Sequence, residues 1–279
     1  MKPIDEQIIL VTGATDGLGK ATALAFAQMD ATVLIHGRDE GRLDNTRQEI
    51  LAAVPQAKLE TYRANFASLA DVRRLGEKLQ SEQSRIDTLI NNAAVGGGKP
   101  GDPKRELSQD GYELRFAVNY LAPFLLTHLL LPCLRHTPPS RIINVSSAGQ
   151  LPINFDDVMM ERHYEPMDAY RQSKLAQVMF TFDLAEQLKN AGVTVNCLHP
   201  ASLMPTKMVY EYFGRTMSSL EDGVKSVMHL ATDPALDGVT GKYFDEMREA
   251  RANAQAYDAD ARRRLWRLSE ALVGIIPSA

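Results

Sequence analysis

Short runs of Ile, Val and Leu alternate along this chain with longer segments in which apolar residues recur at helical spacing. Uniformly apolar runs are typical of strands buried on both faces, as in parallel sheets that carry helices on each side. About seven strands alternate with helices, which predicts a single α/β domain built on a doubly wound parallel sheet. The strands are predicted at residues 8–12, 32–36, 57–62, 88–91, 141–146, 193–198 and 242–244.

Segments without either spacing interrupt this order. Glycines and prolines predict a loop over residues 95–110, mixed polarity predicts an insertion over 149–166, and the run 200–219 is predicted to be a lid or substrate loop. Residues 1–245 are assigned to the sheet domain, and 246–279 to a helical extension that packs on the same domain through an apolar stripe. The stripe consists of Leu265, Trp266, Leu268 and Leu272. The helices are predicted at residues 18–29, 40–53, 69–83, 111–134, 167–190 and 220–231.

Composition and charge exclude several kinds of partner. The formal net charge of −4 gives no basic excess for binding nucleic acid, and Cys133 and Cys197 lack the spacing of metal ligands or of a disulfide framework. No signal peptide is visible at the N-terminus. The apolar stretch 120–134 contains prolines and is shorter than the roughly 18 residues of a spanning helix, so a buried core helix is expected. These features predict a cytoplasmic protein without a transmembrane segment; peripheral contact with a membrane stays open.

Three glycines, Gly13, Gly17 and Gly19, follow the first predicted strand and open the first predicted helix. A glycine accepts the positive φ of a tight turn, its missing Cβ lets a pyrophosphate approach, and a helix N-terminus offers unpaired N–H groups to the anion. Glycines also serve ordinary turns. It is the position between a strand and a helix that predicts a dinucleotide phosphate site.

The end of the second strand, His36-Gly37-Arg38-Asp39, bears on the choice of cofactor. An acidic residue there would bind a ribose 2′-hydroxyl, whereas an arginine can pair with a 2′-phosphate. Arg38 therefore favours NADP over NAD. The alternative is that Asp39 caps the next helix and Arg38 is a solvated charge, which leaves the cofactor open.

Tyr170 and Lys174 are four residues apart on a predicted helix and so share one face. A neighbouring ammonium lowers the pKa of a tyrosine from its reference value of about 10, which suits proton exchange with a substrate oxygen. Such pairs arise by chance on many helices, so other residues must support the interpretation. Ser147 follows the fifth strand, at the edge where open α/β sheets bind ligands. Asn119 lies in an apolar helix, where it is either functional or a hydrogen-bonded core residue.

Four motifs in this order resemble the short-chain dehydrogenase/reductase family, over about residues 5–245. They are the loop 12–19, Asn91-Asn92-Ala93-Ala94 after the fourth strand, Asn119, and Ser147 with Tyr170 and Lys174. The long gap from Ser147 to Tyr170, His199-Pro200 and the terminal Leu265-Trp266-Arg267 are similar to the retinol-dehydrogenase-like branch. The chain differs from the family in having Asn65-Phe66 where an aspartate is usual near the adenine, and Pro200-Ala201 in place of proline-glycine.

This resemblance implies a Rossmann-type fold and a role for each matching residue. Tyr170 would be the general acid/base, Lys174 would lower its pKa and hold the nicotinamide ribose, and Ser147 would orient the substrate oxygen. Asn119 would support a proton-relay water, and no metal is expected. The residues implied to bind NADP(H) are Gly13, Thr15, Asp16, Gly17, Leu18, Gly19, Arg38, Asn65, Phe66, Asn92, Ala93, Tyr170, Lys174, Pro200 and Thr206.

The sequence thus predicts an NADP-dependent oxidoreductase that interconverts a carbonyl group, in an aldehyde or ketone, and an alcohol on a lipophilic small molecule. An NAD-linked alcohol dehydrogenase of the same fold and a non-catalytic NADP-binding sensor or scaffold are the alternatives. The sensor would lack a catalytic residue, and here none is missing. The resemblance further implies a homodimer or homotetramer formed through the helices at 111–134 and 167–190.

Overall fold

Apolar strands form the centre of the computed structural model, which describes residues 1–98 and 104–275. In those residues the strands are β1 (Ile8–Val11), β2 (Thr32–Gly37), β3 (Lys58–Arg63), β4 (Thr88–Asn91), β5 (Ser140–Val145), β6 (Val193–His199), β7 (Lys242–Asp245) and β8 (Arg248–Glu249). They make one sheet in the order β3-β2-β1-β4-β5-β6-β7-β8, in which only β7 and β8 pair antiparallel. The predicted doubly wound fold is confirmed, and the seven predicted strands lie within one residue of the observed bounds.

Helices cover both faces of the sheet because successive strand residues point to opposite sides. Leu10 and Leu89 belong to one core, under the helices α3 (Leu69–Glu82), α5 (Ala122–His136) and α6 (Pro166–Gln187). Ile9 and Ile90 belong to the other core, under α1 (Gly17–Gln28) and α8 (Leu220–Thr232). A π-helical turn (Ala117–Leu121) joins α4 to α5. The helices are α1 (Gly17–Gln28), α2 (Glu40–Ala53), α3 (Leu69–Glu82), α4 (Leu114–Phe116), α5 (Ala122–His136), α6 (Pro166–Gln187), α7 (Lys207–Phe213), α8 (Leu220–Thr232) and α9 (Ala259–Val273).

Two short elements differ from the prediction. The expected loop at 200–219 contains α7, and the chain turns back after β7 to add β8. Neither has a periodic apolar signal: α7 has no buried residue, and β8 is two exposed residues long. The insertion 149–166 forms no strand, and its only helical residue is the first of α6. Part of the loop predicted at 95–110, residues 99–103, lies outside the described residues.

The continuous helical run Leu114–His136 is long and apolar enough to cross a membrane by length and composition alone. The predicted apolar stretch 120–134 lies within this longer run, because the helix begins before residue 120 and Pro132 lies inside α5 without ending it. The absence of a transmembrane segment stays a prediction. The burial of this run agrees with the expected core helix, since 78% of the apolar window is buried inside the protein.

The C-terminal helix α9 lies across α5 and α6. The Trp266 ring packs 5.1 Å from Phe124 and 5.9 Å from Phe180, measured between centroids. Arg262 adds ion pairs to Asp183 at 2.5 Å and to Glu186 at 3.1 Å. The chain's own tail thus covers part of the face through which the resemblance implies an oligomer, while the boundary at residue 246 stays a prediction.

Candidate active site

A cavity of about 810 Å³ opens at the carboxyl ends of β1, β2, β4, β5 and β6. The strand order reverses here, since β2 lies on one side of β1 and β4 on the other, and such switch points bind ligands in open α/β sheets. All residues assigned above to the cofactor line this cavity, as do Ser147, Tyr170 and Lys174. The predicted site residues thus lie around one cavity, with Asn119 as the exception, and their roles stay predictions.

The glycine loop packs too closely for side chains. Gly13 and Gly17 have φ values of 65° and 47°, and a Cβ at Gly19 would lie 2.2 Å from the Gly13 carbonyl oxygen. Asp16 caps α1 by accepting a hydrogen bond from the Gly17 N–H at 2.8 Å. Leu18 and Gly19, the next residues of the first turn, also line the cavity, and the N–H groups at the start of a helix have no carbonyl partner within it. This geometry fits the pyrophosphate of a dinucleotide.

Asn92 and Ala93 hold the glycine loop against the end of β4. The Asn92 side-chain amide donates to the carbonyl oxygens of Thr12 at 2.9 Å and Gly13 at 3.2 Å. In return, the Thr12 hydroxyl accepts from the N–H groups of Asn92 and Ala93 at 2.9 and 3.0 Å. These bonds fix two of the loops that line the cavity relative to each other.

His36 is a site residue that the sequence analysis placed on the strand but gave no role. Its Nδ1 accepts from the Gly13 N–H at 3.2 Å, so Nε2 carries the proton that bonds the Ala64 carbonyl at 3.1 Å. The ring also stacks on Phe66 at 4.3 Å. Burial lowers the pKa of His36 to about 4, which keeps this bridge neutral. Its signal in the sequence is a polar ring at the end of an otherwise apolar strand.

The Asn65 side chain shapes the turn at the adenine end of the predicted site. Its Oδ1 accepts from the Ala67 N–H at 3.1 Å, while its own backbone N–H donates to Asp71 at 3.2 Å. Both Asn65 and Phe66 line the cavity. The amide that replaces the usual aspartate is therefore used to hold the loop after β3.

Two arginines stand at the mouth of the cavity, of which the sequence analysis named only Arg38. Arg38 is exposed, and Asp39 does cap α2, accepting from the Arg42 N–H at 2.9 Å. The Arg42 guanidinium pairs with Asp16 at 2.8 Å and reaches the Thr15 carbonyl at 3.4 Å. Burial acts to raise the pKa of Asp16, but the hydrogen bond and charge of Arg42 lower it overall. The signal for Arg42 in the sequence is its position in the first turn of α2, four residues after Arg38.

Helix α6 brings Tyr170 and Lys174 onto one face. The helix begins at Pro166, and Glu165 caps it by accepting from the Asp168 N–H at 2.8 Å. The Lys174 ammonium lies 5.6 Å from the centre of the Tyr170 ring. It donates to the Val145 carbonyl at 2.9 Å, and burial lowers the pKa of Lys174 to about 7.

The pKa of Tyr170 moves in the direction opposite to the expectation. Burial raises it, and a side-chain hydrogen bond with Ser147 offsets part of that rise. The Lys174 ammonium donates to the Val145 carbonyl and the Gln177 side chain, and burial outweighs its charge at the phenol. Tyr170 is thus held as a neutral phenol next to the Ser147 hydroxyl.

Asn119 is fully buried in the π-helical turn. Its Oδ1 accepts from the Val95 N–H at 2.7 Å, and its Nδ2 donates to the Val95 carbonyl and the Ser173 hydroxyl, both at 3.0 Å. Asn119 is therefore a hydrogen-bonded core residue, which is one of the two interpretations that the sequence allowed. Asn119 fastens the loop after β4 to α6, one residue before Lys174, and its part in a proton relay stays a prediction.

The other end of the cavity is apolar and comes largely from the segment at 200–219. Pro200 lines it after β6, and Thr206 caps α7 while packing against the glycine loop at Gly17. Eleven further residues of this segment line the cavity, and most of them are apolar or aromatic. These eight are Ala201, Leu203, Met204, Met208, Val209, Tyr212, Phe213 and Met217, whereas Ser202, Lys207 and Glu211 are polar. This composition suits a lipophilic ligand.

Metal ligands do not accompany these groups. Across residues 1–98 and 104–275, no group of three or more His, Cys, Asp or Glu side chains could hold a metal ion. Cys133 and Cys197 are both buried and free.

The comparisons with known proteins agree with this geometry. A sequence model of the family described as short chain dehydrogenase matches residues 7–215. Retinol dehydrogenase 13 of Mus musculus is 36% identical to this chain, over 98% of it and 85% of the relative. An uncharacterized protein of Mycobacterium paratuberculosis is similar in structure, with a TM-score of 0.75 at 28% identity, covering 96% of this chain and 94% of that one.

A second solved structure, a short chain dehydrogenase of Escherichia coli in complex with NADPH, has a TM-score of 0.70 at 25% identity, covering 86% of this chain and 96% of that one. These matches cover most of each protein, and the glycine loop, Ser147, Tyr170 and Lys174 meet in one cavity. The chain therefore belongs to the short-chain dehydrogenase family, where it is similar to retinol dehydrogenases, and it is an oxidoreductase that acts on CH–OH groups with NAD(P).

Proposed function

We propose that this chain is an NADP-dependent oxidoreductase that interconverts a lipophilic carbonyl compound and its alcohol, with Tyr170 as the general acid/base. The observation that carries the proposal is a single cavity. It joins the anion-binding end of α1 to the phenol of Tyr170 and the hydroxyl of Ser147. A dinucleotide held at one end would place its reactive ring at the other.

The residues divide the chemistry between them. Bound nicotinamide supplies the hydride to the carbonyl carbon, and takes it back in the reverse direction. As the C=O electron pair moves to oxygen, the Tyr170 phenol donates its proton to that oxygen, while the Ser147 hydroxyl orients it. A phenol whose pKa is raised stays protonated at neutral pH, which is the form needed for carbonyl reduction. The Lys174 ammonium lies 5.6 Å from the ring and favours the phenolate that remains.

The preference for NADP rests on the two arginines at the mouth of the cavity. Arg38 and Arg42 both line it beside Thr15 and Gly37, at the end of β2. A 2′-phosphate is a dianion that guanidinium groups bind well, whereas Asp39, the acidic residue that follows β2, caps α2. The Escherichia coli relative was solved with NADPH, which supports the same preference.

The substrate class rests on the apolar end of the cavity. Methionine side chains such as Met208 and Met217 are flexible and adapt to ligands of different shape, and Phe213 adds aromatic surface. A relative named retinol dehydrogenase fits a lipophilic alcohol of this kind. A cytoplasmic location stays a prediction.

The oligomeric state follows from the position of α9. The aromatic contacts of Trp266 and the ion pairs of Arg262 occupy part of the face of α5 and α6 that a partner's helices would need. We infer that a homodimer or homotetramer through these two helices does not form. Sedimentation velocity at several concentrations tests this inference, and a concentration-independent dimer whose disruption requires substitutions on α5 or α6 would contradict it.

The Tyr170→Phe variant tests the proposed function. Removing the phenol hydroxyl should lower kcat/KM by about 1,000-fold or more, because it removes the group that we propose as the proton donor. Turnover is followed by NADPH absorbance with a panel of aldehydes, ketones and alcohols, and NADPH affinity by fluorescence. Affinity should stay within about threefold of wild type. Tyr210→Phe, on the exposed side of α7, is the matched control.

Each alternative has a distinct outcome in this experiment. A wild-type protein that binds NADPH but reduces no member of the panel would favour the sensor or scaffold. Normal turnover in Tyr170→Phe would remove the assigned acid/base. Equal use of NADH and NADPH by the wild type would favour the NAD-linked dehydrogenase.

A further inference from the structure

The charge of Lys174 is held inside the protein by neutral groups alone. The side chain is 2% exposed, and its ammonium donates to the Val145 carbonyl at 2.9 Å and to the Gln177 Oε1 at 3.0 Å. A buried ammonium without an opposite charge depends strongly on each dipole that contacts it. Of the two groups that the ammonium contacts, the Gln177 amide belongs to a side chain and the Val145 carbonyl to the backbone.

Gln177 is itself built into a buried polar network. It is 1% exposed, and its backbone carbonyl accepts from the Thr181 hydroxyl at 2.8 Å. Thr181 in turn accepts from Asn144 at 2.8 Å, and Asn144 accepts from Asn91 at 2.8 Å. The Gln177 Nε2 has no hydrogen-bond partner in the described part of the chain. A buried amide nitrogen without a hydrogen-bond partner lowers the stability of the folded protein. The contact that the other end of this amide makes with Lys174 therefore needs an explanation.

We propose that Gln177 is a positioning residue, whose Oε1 holds the Lys174 ammonium against the end of β5 and beside the Tyr170 ring. A neutral acceptor at this position fixes the ammonium in place without cancelling its charge. A carboxylate there would pair with the ammonium and draw its charge away from Tyr170. The proposal deepens the proposed function, on which it rests for the catalytic use of Lys174.

Other ionisable groups do not explain the state of Lys174. Those on elements packed against this part of α6 are Glu113, which caps α4, Arg115 on α4, Tyr120 in the π-helical turn, Arg141 on β5, Cys197 and His199 on β6, and Lys242, Tyr243 and Asp245 on β7, while Asp168, Tyr170 and Arg171 lie on α6 itself. Burial lowers the pKa of Lys174 to about 7, and the two groups that its ammonium contacts, the Val145 carbonyl and the Gln177 amide, are neutral. Substitutions of Gln177 should therefore change the pKa of Lys174 directly.

The experiment reads Lys174 directly, without substrate. The protein is labelled with ¹³C at lysine Cε, and the Lys174 resonance is identified by its loss in Lys174→Met. Titration should place the wild-type midpoint near 7. Gln177→Leu removes the acceptor and should lower the midpoint, whereas Gln177→Glu adds a negative charge and should raise it by about 1 pH unit or more. In both variants the pH profile of kcat/KM should move in the same direction as the midpoint.

Gln172→Leu is the matched control, because Gln172 is a buried glutamine on the same helix that bonds Asn154 and Val158 instead. The Lys174 midpoint of Gln172→Leu should equal that of the wild type.

Lys174 midpoints that stay fixed in both Gln177 variants, or that move in the same direction in both, would overturn the proposal. If Gln177→Glu does not fold, Gln177→Asn, which keeps an amide on a shorter side chain, replaces it. The Lys174 midpoint of Gln177→Asn should lie between those of Gln177→Leu and the wild type. A wild type without turnover would refute the proposed function, yet leave this titration decisive.

Discussion

The two ends of the cavity contain glycines for opposite reasons. At the phosphate end, a Cβ on Gly13 would lie 2.7 Å from the Ala93 Cα, and one on Gly19 would lie 2.2 Å from the Gly13 carbonyl oxygen. At the substrate end, a Cβ on Gly96 would lie 2.3 Å from the Cγ of Met208. The first set meets backbone, which cannot move, and the second meets a side chain with several rotamers. Close packing against backbone therefore restricts the end at which we propose that the cofactor binds, whereas the end proposed for the substrate packs against a side chain that can move.

Hydrogen bonding follows the same division. His36, Thr12 and Asn92 bond the loops of the phosphate end to one another. At the substrate end, α7 buries none of its residues, and Tyr210 and Met217 are 55% and 70% exposed. A site arranged in this way can retain one cofactor while accepting substrates of several shapes.

Gly19→Ala should have the largest effect, because its methyl group would collide with a carbonyl oxygen and with Asn92. The collision displaces the loop that faces the pyrophosphate, and NADPH affinity should fall about 1,000-fold, or about 4 kcal/mol. Fluorescence titration with NADPH measures the loss. Gly41→Ala on α2 is the control, since its methyl group would meet only Asp39, at 3.5 Å. Affinity within tenfold of wild type in Gly19→Ala would show that the phosphate end is not rigid.

His36→Asn should change how stability depends on pH. The folded pKa of His36 is about 4, below the usual 6.5, so between these values the unfolded chain binds a proton that the folded protein does not. Stability should therefore rise with pH through this window and be complete above pH 6.5, by about 2–3 kcal/mol from this residue. Urea unfolding at pH 4.5 to 7.5 should give a shallower slope in the variant. His163→Asn, at an exposed position, is the control, and parallel slopes for wild type and His36→Asn would contradict the assignment.

Arg38→Ala and Arg42→Ala should each weaken NADPH binding about tenfold, or about 1.4 kcal/mol, and NADH binding much less. Arg42→Ala also leaves the Asp16 carboxylate unpaired near the expected position of the phosphate, so its effect should be the greater of the two. Arg47→Ala, an exposed arginine on the same helix, should change neither affinity. Equal losses for the two cofactors would show that these arginines do not bind the 2′-phosphate.

The residues that the sequence predicted correctly are those whose signal is local. The strands are apolar runs, and Tyr170 and Lys174 share a face because helical periodicity requires it. The role of His36 depends on Gly13 and Ala64, which are 23 and 28 residues away and meet it only in the folded chain. Gln177 is only three residues from Lys174, but the burial that makes this contact important is seen only in the fold. The raised pKa of Tyr170 was missed because burial outweighs the nearby ammonium, and burial cannot be read from spacing. Helix α7 was not predicted because none of its residues is buried, so its sequence has no apolar residues at helical spacing that face a core.

Gly96→Ala should have the smallest effect and gives the sharpest test of the adaptable end. Its methyl group would meet the Met208 side chain, which can rotate away, so NADPH affinity should be unchanged and KM for a lipophilic aldehyde should change less than about fivefold. Combining it with Met208→Ala removes the collision, so the double variant should have the KM of Met208→Ala alone. If Gly96→Ala instead costs as much as Gly19→Ala, the methionine is held as firmly as the backbone. The contrast between the two ends would then be lost.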